Sequence, residues 1–508
     1  MLNISKQLFS AWNDAGLLYC HWKSNEHLLP GLDGLTDLDV LLSRDDKTEG
    51  EYLLNELDFL QCRSQFGSRY PNVDDWIGFD KETGNLIHVH LHYGIVTGHK
   101  GMKEYALQWT DMALKTRILN EEYGVYTMEP NLEMVTLYTR IGLKADFKSL
   151  ARCMKGTFKF PKDVQREIDW LKEHVDMNRV HHLLETFYGE KAESVYRIME
   201  KEKIKSSDYL ALRKITESVF KKCRRIKCFV RLREILFYIY QKWGKWGIGK
   251  FDKSIITKKV PKSGVGTTIA FIGQDGCGKS TVTTEIQKWL NWKIEAKRFY
   301  LGSGEHYNSL YKRLLSKGSK LKKRRGKTQI DSTKDVGQPS KIVKRKKNIK
   351  NFIIAYLVAK KYLTVARRAY KEVLTSEKYR RKGGTPLFDR FPQSQFEGIY
   401  DGPKIASYIR GTGLDFFVIR QMAKRERRYI ERIQQYQPKV VFKLMLSPDE
   451  SIRRKPFERL ETVARKHEIT KKLQFNDSIV HVVDAAQDYQ QELVFIKNMI
   501  WKVLVQKQ

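Results

Sequence analysis

The stretch TTIAFIGQDGCGKST, residues 267–281, decides the fold of the second half of this 508-residue chain. It opens with an apolar run that favours a β-strand and continues with the pattern G-x-x-x-x-G-K-S, from Gly273 to Ser280. Glycines in such a loop let backbone N–H groups surround phosphate oxygens, and the following helix offers them its positive end. The stretch therefore predicts a strand, a phosphate-binding loop and a helix that begins at Lys279.

Each residue of this loop is a candidate contact of a nucleotide. Lys279 is expected to reach the β- and γ-phosphates, and the Ser280 hydroxyl is expected to bind Mg²⁺. The other predicted nucleotide-binding residues are Gly273, Gln274, Asp275, Gly276, Cys277, Gly278 and Thr281. The pattern therefore predicts ATP and Mg²⁺ as cofactors.

Three further apolar runs, at residues 386–388, 440–446 and 479–483, follow at helix-length separations. This alternation is typical of a parallel sheet whose strands are joined by crossover helices. We therefore expect an α/β domain with a parallel sheet over residues 264–508.

The order of four sequence words in this half resembles the thymidylate kinase family. The words are FIGQDGCGKST, LFDRFP at 387–392, VVFKLMLSPDESIRRK at 440–455 and VHVVDAAQDY at 480–489. The resemblance implies a P-loop kinase fold in which Lys279 steadies the transferred phosphoryl group and Asp389 shares the Mg²⁺ with Ser280. It also implies that three arginines belong to the catalytic residues, namely Arg390, Arg453 and Arg454.

The resemblance also suggests residues for the acceptor. Asp275 and Arg390 would face it, Arg368 takes the place of a base-reading arginine, and Asp401 lies where further contacts would be. After Arg390 the chain reads FPQSQFEGIYDGPKI, which differs from the segment that helps the family to read thymine. We therefore expect the phosphoryl-transfer residues together with an acceptor that need not be dTMP. For residues 400–403 a simple turn is the alternative.

The first part of the chain has a different pattern. Residues 1–130 alternate strand-like runs, at 38–42, 86–93 and 124–128, with helical patterns, and so predict a second α/β unit. In TDLDVLL, Asp37 and Asp39 flank one strand residue, so both carboxylates lie on one face, as a divalent-metal site requires. Two surface aspartates on an edge strand are the alternative.

A turn with the sequence WKSN precedes this Asp-x-Asp strand. Turn and strand together resemble the polymerase-β-type nucleotidyltransferase superfamily. The resemblance implies that Asp37 and Asp39 are catalytic and hold a Mg²⁺ that aligns an NTP with an attacking hydroxyl. It implies that Lys23 and Ser24 bind the nucleotide.

The superfamily takes a third carboxylate from another strand, and we expect that strand at residues 86–93. The chain has His88, His90 and His92 there and no acid. Imidazole suits transition metals better than Mg²⁺. We therefore expect His90 as a metal ligand in a site that is altered in metal, weakened, or kept for binding alone. A half-exposed polar strand face is the alternative.

Charge is concentrated in two stretches of this chain, whose net charge is +35. Residues 221–262 hold 14 Lys or Arg against 2 acids, and residues 312–350 hold 16 against 2. We interpret 131–240 as a helical appendage, 241–263 as a basic linker and 312–350 as a basic insertion in the second domain. The two basic stretches could contact nucleic acid or an anionic membrane surface, and solvated segments are the alternative.

The remaining composition bears on the compartment. Six cysteines without a metal-binding spacing indicate a reducing environment. The first residues lack the order of a secretory signal, and no run is long and apolar enough for a membrane span. We therefore expect a cytoplasmic protein, with peripheral association at the inner membrane surface left open. The whole chain resembles bacterial nucleotidyltransferase-like and thymidylate-kinase-like fusion proteins associated with surface-polysaccharide genes.

Three functional hypotheses are compatible with these patterns. The first is an ATP-dependent phosphotransferase that acts on a nucleotide, another small molecule or a glycan, fused to a nucleotidyltransferase-like domain. The second is a nucleotide-gated nucleic-acid-binding or defence protein. The third is a dTMP kinase with an inactive amino-terminal domain.

Overall fold

The chain divides into two compact units. Unit 1 comprises Met1–Val265, Trp289–Glu295 and Val494–Gln508, and unit 2 comprises Gly266–Lys288 and Ala296–Leu493. The computed structural model describes residues 1–64, 70–99, 102–144, 147–225, 232, 233, 235, 236, 239, 253–302, 341–399, 401–456 and 460–506.

The described part of unit 1 combines strands with an extended helical region. Its helices are α1 (Asn3–Asp14), α2 (Leu28–Leu32), α3 (Lys47–Glu56), α4 (Thr110–Lys115), α5 (Pro130–Leu143), α6 (Phe147–Met154), α7 (Lys162–His174), α8 (Met177–Tyr188), α9 (Ala192–Met199) and α10 (Ser206–Val219). Its strands are β1 (Tyr19–His21), β2 (Asp37–Leu42), β3 (Leu60–Arg63), β4 (Val73–Phe79), β5 (Leu86–His92), β6 (Val96–Thr97), β7 (Tyr105–Ala106), β8 (Ile118–Asn120), β9 (Val125–Thr127) and β10 (Val260–Pro261).

A mixed eight-stranded sheet with the order β10-β3-β4-β5-β2-β1-β9-β8 is the frame of unit 1. Alternation of residue types explains its central strand β2, because Leu38 and Val40 are fully buried while Asp37 and Asp39 are only partly buried. The leucine and valine side packs against α1 and α3 in an apolar core. The opposite side of the sheet therefore presents the aspartates.

The helical region shares a second core with that opposite side of the sheet. Trp22 and Leu41 from the strand region pack in one cluster with Leu132 of α5, Leu184 of α8 and Leu212 of α10. The helical segment thus packs on the sheet of unit 1, and it also contains a small cluster of its own around Phe158 and Tyr209. Helix α5 begins at Pro130. The N–H groups of the first helical turn have no intrahelical partner, so the N–H that proline lacks costs no hydrogen bond there.

Part of the predicted basic linker belongs to the sheet of unit 1. Val260–Pro261 forms an edge strand antiparallel to β3, and the backbone N of Lys262 donates to Gln61 O over 2.9 Å. Val260 is fully buried, and an edge strand tolerates the missing N–H of Pro261. The structure corrects the linker prediction for these residues, and 241–252 lie outside the described residues.

Unit 2 is built on a five-stranded sheet with the order β12-β13-β11-β14-β15, all parallel. Its strands are β11 (Ile269–Gly273), β12 (Ala296–Tyr300), β13 (Thr385–Asp389), β14 (Val440–Met445) and β15 (Ile479–Asp484). Every residue of β11 and β13 is buried, as central parallel strands require when helices cover both faces. The predicted α/β fold with a parallel sheet is confirmed.

The helices that begin in unit 2 are α11 (Lys279–Leu290), α12 (Lys341–Arg381), α13 (Ile405–Thr412), α14 (Phe417–Gln434), α15 (Pro448–Arg454), α16 (Leu460–Lys472) and α17 (Tyr489–Val505). Helix α12 is 41 residues long, and its first residues, 341–350, lie in the predicted basic insertion. These residues are helical, because Lys and Arg are good helix formers. Residues 312–340 lie outside the described residues. Across the described part of the chain, none of the helices has the length and apolar composition to cross a bilayer.

Candidate functional site

The phosphate-binding loop connects β11 to α11 in unit 2. A Cβ on Gly273 would lie 2.4 Å from Leu444 O and 2.6 Å from Cys277 Sγ, so only glycine fits where the strand ends. Gly276 and Gly278 have φ angles of 91° and 86°, in the left-handed region that glycine adopts without strain. The glycine pattern is therefore required by the backbone of the loop.

The predicted lysine lies inside this loop. Lys279 has 7% of its surface exposed, and its Nζ donates to Gln274 O over 2.6 Å. Gln274 is buried and donates through Nε2 to Leu446 O at the end of β14. Cys277 is also buried, and burial raises the pKa of its thiol. Thr281 follows on the exposed side of α11.

The predicted metal ligands Ser280 and Asp389 are brought into contact. Asp389 ends β13 next to β11, because Phe271 and Asp389 are paired in the parallel ladder. Ser280 Oγ donates to Asp389 Oδ2 over 2.7 Å, and the aspartate side chain is fully buried. Its other oxygen, Oδ1, has no hydrogen-bond partner among the described residues. A hydroxyl and a carboxylate with one open buried oxygen fit a Mg²⁺ ion.

A residue that the sequence analysis missed completes this contact. Arg298 of β12 donates from Nη2 to Asp389 Oδ2 over 2.6 Å. Its strand reads AKRFY, where two charged residues hide the strand signal. Arg298 is paired with Leu387 in the parallel ladder, two residues before Asp389 at the end of β13. The spacing of residues in the sequence does not predict this register.

Three of the predicted acceptor residues also lie together. Arg390 Nη2 donates to Asp275 Oδ1 over 2.9 Å, and its Nη1 lies 3.8 Å from Asp401 Oδ2. Lys466 of α16 also contacts Asp275. Burial raises the pKa of the Asp275 carboxyl, but the hydrogen bond from Lys466 and the charge of Arg390 outweigh it and hold this pKa below its usual value. Arg390 and Asp401 have φ angles of 72° and 55°, which are strained for residues other than glycine.

A largely apolar cavity adjoins Asp401. Its lining includes Tyr362, Ala366 and Ala369 of α12, and Lys404. The fourth predicted acceptor residue, Arg368, lies on α12 between those two alanines and is partly exposed. Its volume of about 20 Å³ has room for about one water molecule, so it does not accommodate part of an acceptor in this structure.

The other two predicted catalytic arginines, Arg453 and Arg454, lie on α15 and not in the cluster of Arg390. In α15, Arg453 Nη2 lies 2.6 Å from Glu450 Oε2 and Arg454 Nε lies 2.9 Å from Glu450 Oε1. The same helix contacts the loop through Ser451, whose Oγ donates to Asp275 O over 2.5 Å. The structure therefore brings α15 to the loop, but pairs these arginines with a glutamate of their own helix.

A second cluster lies on one face of the sheet in unit 1. Asp37 is paired with His88 and Asp39 with His90 in the parallel ladder of β2 and β5. His90 is also paired with Asp75 of β4. Residues directly opposite on neighbouring strands share a face, so these carboxylates and imidazoles point to the same side.

A third carboxylate of this cluster, that of Asp75, does not come from the strand at residues 86–93, where we expected it. It lies on β4, the neighbour of the histidine strand β5. Its Oδ1 is 3.3 Å from His88 Nε2 and 3.1 Å from His90 Nε2, and its Oδ2 accepts from Ser64 Oγ over 2.9 Å. The predicted ligand His90 thus lies between two carboxylates.

Each of the three carboxylates is also paired with a lysine. Lys23 contacts Asp39, Lys293 contacts Asp37, and Lys259 Nζ lies 2.7 Å from Asp75 Oδ1. Burial acts to raise the pKa of each carboxyl, but the histidine hydrogen bonds and the lysine charges outweigh it and leave all three lowered. The acids are therefore ionised in the folded protein.

This set of donors does not fit the Mg²⁺ that the nucleotidyltransferase resemblance implies. Mg²⁺ prefers oxygen ligands and keeps several of its waters. In unit 1 the oxygens of Asp37, Asp39 and Asp75 are already shared with lysines and histidines. We therefore derive no step through Mg²⁺ at this cluster.

The turn that carries Lys23 and Ser24 is fixed by a buried glutamate. Ser24 has a φ angle of 58°, and the next backbone N, that of Asn25, donates to Glu133 Oε1 over 3.0 Å. Glu133 lies on α5 with no exposed surface, and its Oε2 has no hydrogen-bond partner among the described residues. Burial, with the nearby charge of Glu167, raises the pKa of Glu133 to about 8.

We expect Glu133→Gln to stabilise the protein at neutral and higher pH. Between the ordinary pKa of 4.5 and about 8, the folded state holds a proton that the unfolded state has released, so stability falls as pH rises through this window. Glutamine carries no such proton and keeps the acceptor for Asn25. Its thermal-unfolding midpoint should exceed that of wild type by about 5 °C at pH 8 and by much less at pH 5. Exposed Glu121→Gln is the control, and an advantage independent of pH would contradict the assignment.

Comparisons with known proteins agree with the loop geometry. No protein-family model matches the chain. The Escherichia coli K12 protein "uncharacterized ATP-binding protein YghR" is 30% identical over 233 residues, which cover 44% of this chain and 83% of the relative. The YghS protein of the same strain, also described as an uncharacterized ATP-binding protein, is 26% identical over 224 residues, covering 42% and 84%.

Solved structures with local similarity include deoxyadenosine kinase from M. mycoides. The form with dCMP and dCDP is 17% identical with a TM-score of 0.28, and the form with dATP is 18% identical with a TM-score of 0.28. Each match covers 46% of this chain and 98% of the kinase. The extent and identity of the YghR match show that this chain belongs to the family of ATP-binding proteins that YghR represents.

Proposed function

We propose that unit 2 is an ATP-dependent phosphotransferase. The observation that carries the proposal is the contact of Ser280 with Asp389 beside the buried loop lysine, Lys279. A phosphate-binding loop alone would also serve a protein that only senses ATP. Asp389, on the adjacent strand, has a buried Oδ1 without a hydrogen-bond partner among the described residues. It can therefore be a second ligand, beside Ser280, for the Mg²⁺ that phosphoryl transfer requires.

Each residue then has a defined task. The backbone of residues 273–280 holds the phosphates, and Lys279 compensates charge on the β- and γ-phosphates. Ser280 and Asp389 would hold Mg²⁺, which supplies charge neutralisation between those phosphates when bound. Arg298 keeps Asp389 oriented through its 2.6 Å contact.

The acceptor side is supported by the cluster at Asp275. Arg390 lies between Asp275 and Asp401, so a guanidinium is held at the loop by two carboxylates. Such a group can bind an anionic or hydroxyl-bearing acceptor through its N–H donors. We propose a nucleotide, another small molecule or a glycan as the acceptor class.

The proposal is tested by ADP release from ATP and Mg²⁺ with nucleoside monophosphates, sugars and lipid-linked glycans in turn. We expect acceptor-dependent ADP formation with one of these classes. Turnover confined to dTMP would make the protein a dTMP kinase. ADP formation that no acceptor stimulates, together with salt-sensitive binding of DNA or RNA, would favour a nucleic-acid-binding protein instead.

For unit 1 we propose a nucleotidyltransferase-like centre, and the convergence of three carboxylates from β2 and β4 supports it. We expect transfer of label from an NTP to fall to background in the double variant Asp37→Ala and Asp39→Ala, because these are the carboxylates that the nucleotidyltransferase resemblance makes catalytic. The exposed Asp45→Ala is the matched control. Equal transfer by the double variant would remove the proposed activity.

A further inference from the structure

The cluster in unit 1 contains two sets of ligand atoms that share one histidine. The first set is Asp37, His88 and His90, and the second is Asp39, His90 and His92. Within each set the candidate atoms lie within 4.8 Å of one another. Each set is a pair of imidazoles with one carboxylate, which is a combination that zinc, manganese, iron and cobalt accept.

The distances around His90 match a coordination sphere. Two atoms bound at about 2.1 Å to one ion, at tetrahedral or octahedral angles, lie about 3.0–3.4 Å apart. His90 Nδ1 is 3.4 Å from Asp39 Oδ1, and His92 Nε2 is 3.0 Å from the same oxygen. The donor atoms therefore need little movement to share an ion.

The hydrogen-bond partners of His90 are also those of a metal-binding histidine. His90 uses both nitrogens, one toward Asp39 and one toward Asp75. Metal-binding histidines usually give their other N–H to a carboxylate in this way. His92 is fully buried and directs Nε2, the nitrogen 3.0 Å from Asp39 Oδ1, toward the same carboxylate as His90.

The charges distinguish between classes of ion. Lys23, Lys259 and Lys293 each neutralise one carboxylate of the cluster. A hard, strongly hydrated ion such as Mg²⁺ depends on net negative charge and oxygen ligands, and the lysines cancel that charge. An ion that bonds to imidazole nitrogen depends less on it.

From these observations we propose that unit 1 binds one divalent transition-metal ion and selects it over Mg²⁺. His90 belongs to both sets, so it is a ligand whichever set holds the ion. The proposal is independent of nucleotidyl transfer, because it concerns metal binding alone. It makes the three histidines candidate metal ligands, which a Mg²⁺ site built from oxygen ligands would not require.

The test is the metal content of the full chain. Protein stripped with a chelator is dialysed against Zn²⁺, Mn²⁺ or Mg²⁺, dialysed again without metal, and analysed by mass spectrometry. We expect wild type to retain one equivalent of Zn²⁺ or Mn²⁺ and no Mg²⁺. His90→Ala should retain at least about tenfold less. His182→Ala, whose side chain is 68% exposed on α8, should behave like wild type.

Co²⁺ titration of wild type tests the proposal without a variant. The visible absorption of imidazole-bound Co²⁺ should increase with added Co²⁺ and saturate at one equivalent per chain. The proposal is overturned if wild type retains no transition metal and gives no such absorption. It is also overturned if a correctly folded His90→Ala variant, checked by circular dichroism, retains as much metal as wild type.

Discussion

Replacement of Lys279 by alanine is expected to lower acceptor-dependent ADP formation by about 10²–10³-fold, because a fixed charge at the transferred phosphoryl group is lost. Lys279 is only 7% exposed, and no other position from 273 to 280 carries a cationic side chain. The loss should appear in kcat as well as in nucleotide affinity, because the charge on the phosphates grows in the transition state. Initial rates at saturating ATP measure it.

The matched control is Lys288→Ala, on the exposed side of the same helix α11. It removes an equal charge from the helix but none from the loop. We expect its rate to equal that of wild type within a factor of about two, as for a surface substitution. Similar rates for Lys279→Ala and Lys288→Ala would show that the loop does not take part in phosphoryl transfer.

Asp389→Asn is expected to produce the second largest loss, a fall in kcat of about 10²-fold with a requirement for higher Mg²⁺ concentration. The substitution keeps the size of the side chain but removes its charge and leaves one acceptor oxygen instead of two, so the contacts of Ser280 and Arg298 with Oδ2 and the free Oδ1 cannot both be kept. An amide is also a weaker Mg²⁺ ligand than a carboxylate. Rates of ADP release across a Mg²⁺ titration separate the two effects.

Asp415→Asn serves as the control for this substitution. Asp415 is 51% exposed and pairs with Arg420 over 3.2 Å at the surface. Its loss should change neither the rate nor the Mg²⁺ dependence. If Asp389→Asn also left the Mg²⁺ dependence unchanged, the assignment of Asp389 to the metal would be wrong.

The fold of unit 2 could be predicted because its signals are local. The glycine pattern, the buried run IAFIG and the strands β13, β14 and β15 follow from short stretches whose periodicity is clear. Strand β12 could not be predicted, because AKRFY lacks a continuous apolar run. Helix α12 extends into the basic stretch, where Lys and Arg favour a helix but no apolar periodicity predicts one.

The missing site residues come from long-range pairing. Asp75 faces the histidines only because β4 and β5 are antiparallel neighbours in the sheet. The sequence contained a signal for this, since VDDWIGF and LIHVHLH are separated by a short turn that favours a hairpin. Lys259 and Lys293 contact Asp75 and Asp37 from positions more than a hundred residues further along the chain, and no local pattern predicts such contacts.

Calorimetric titration with a nonhydrolysable ATP analogue and Mg²⁺ measures nucleotide binding at the phosphate-binding loop of unit 2. We expect a saturable binding component in wild type that disappears in Lys279→Ala and persists in Lys288→Ala. Comparison of the two variants separates unit 2 from any nucleotide bound in unit 1. Absence of binding to wild type, or binding that Lys279→Ala leaves intact, would contradict the account.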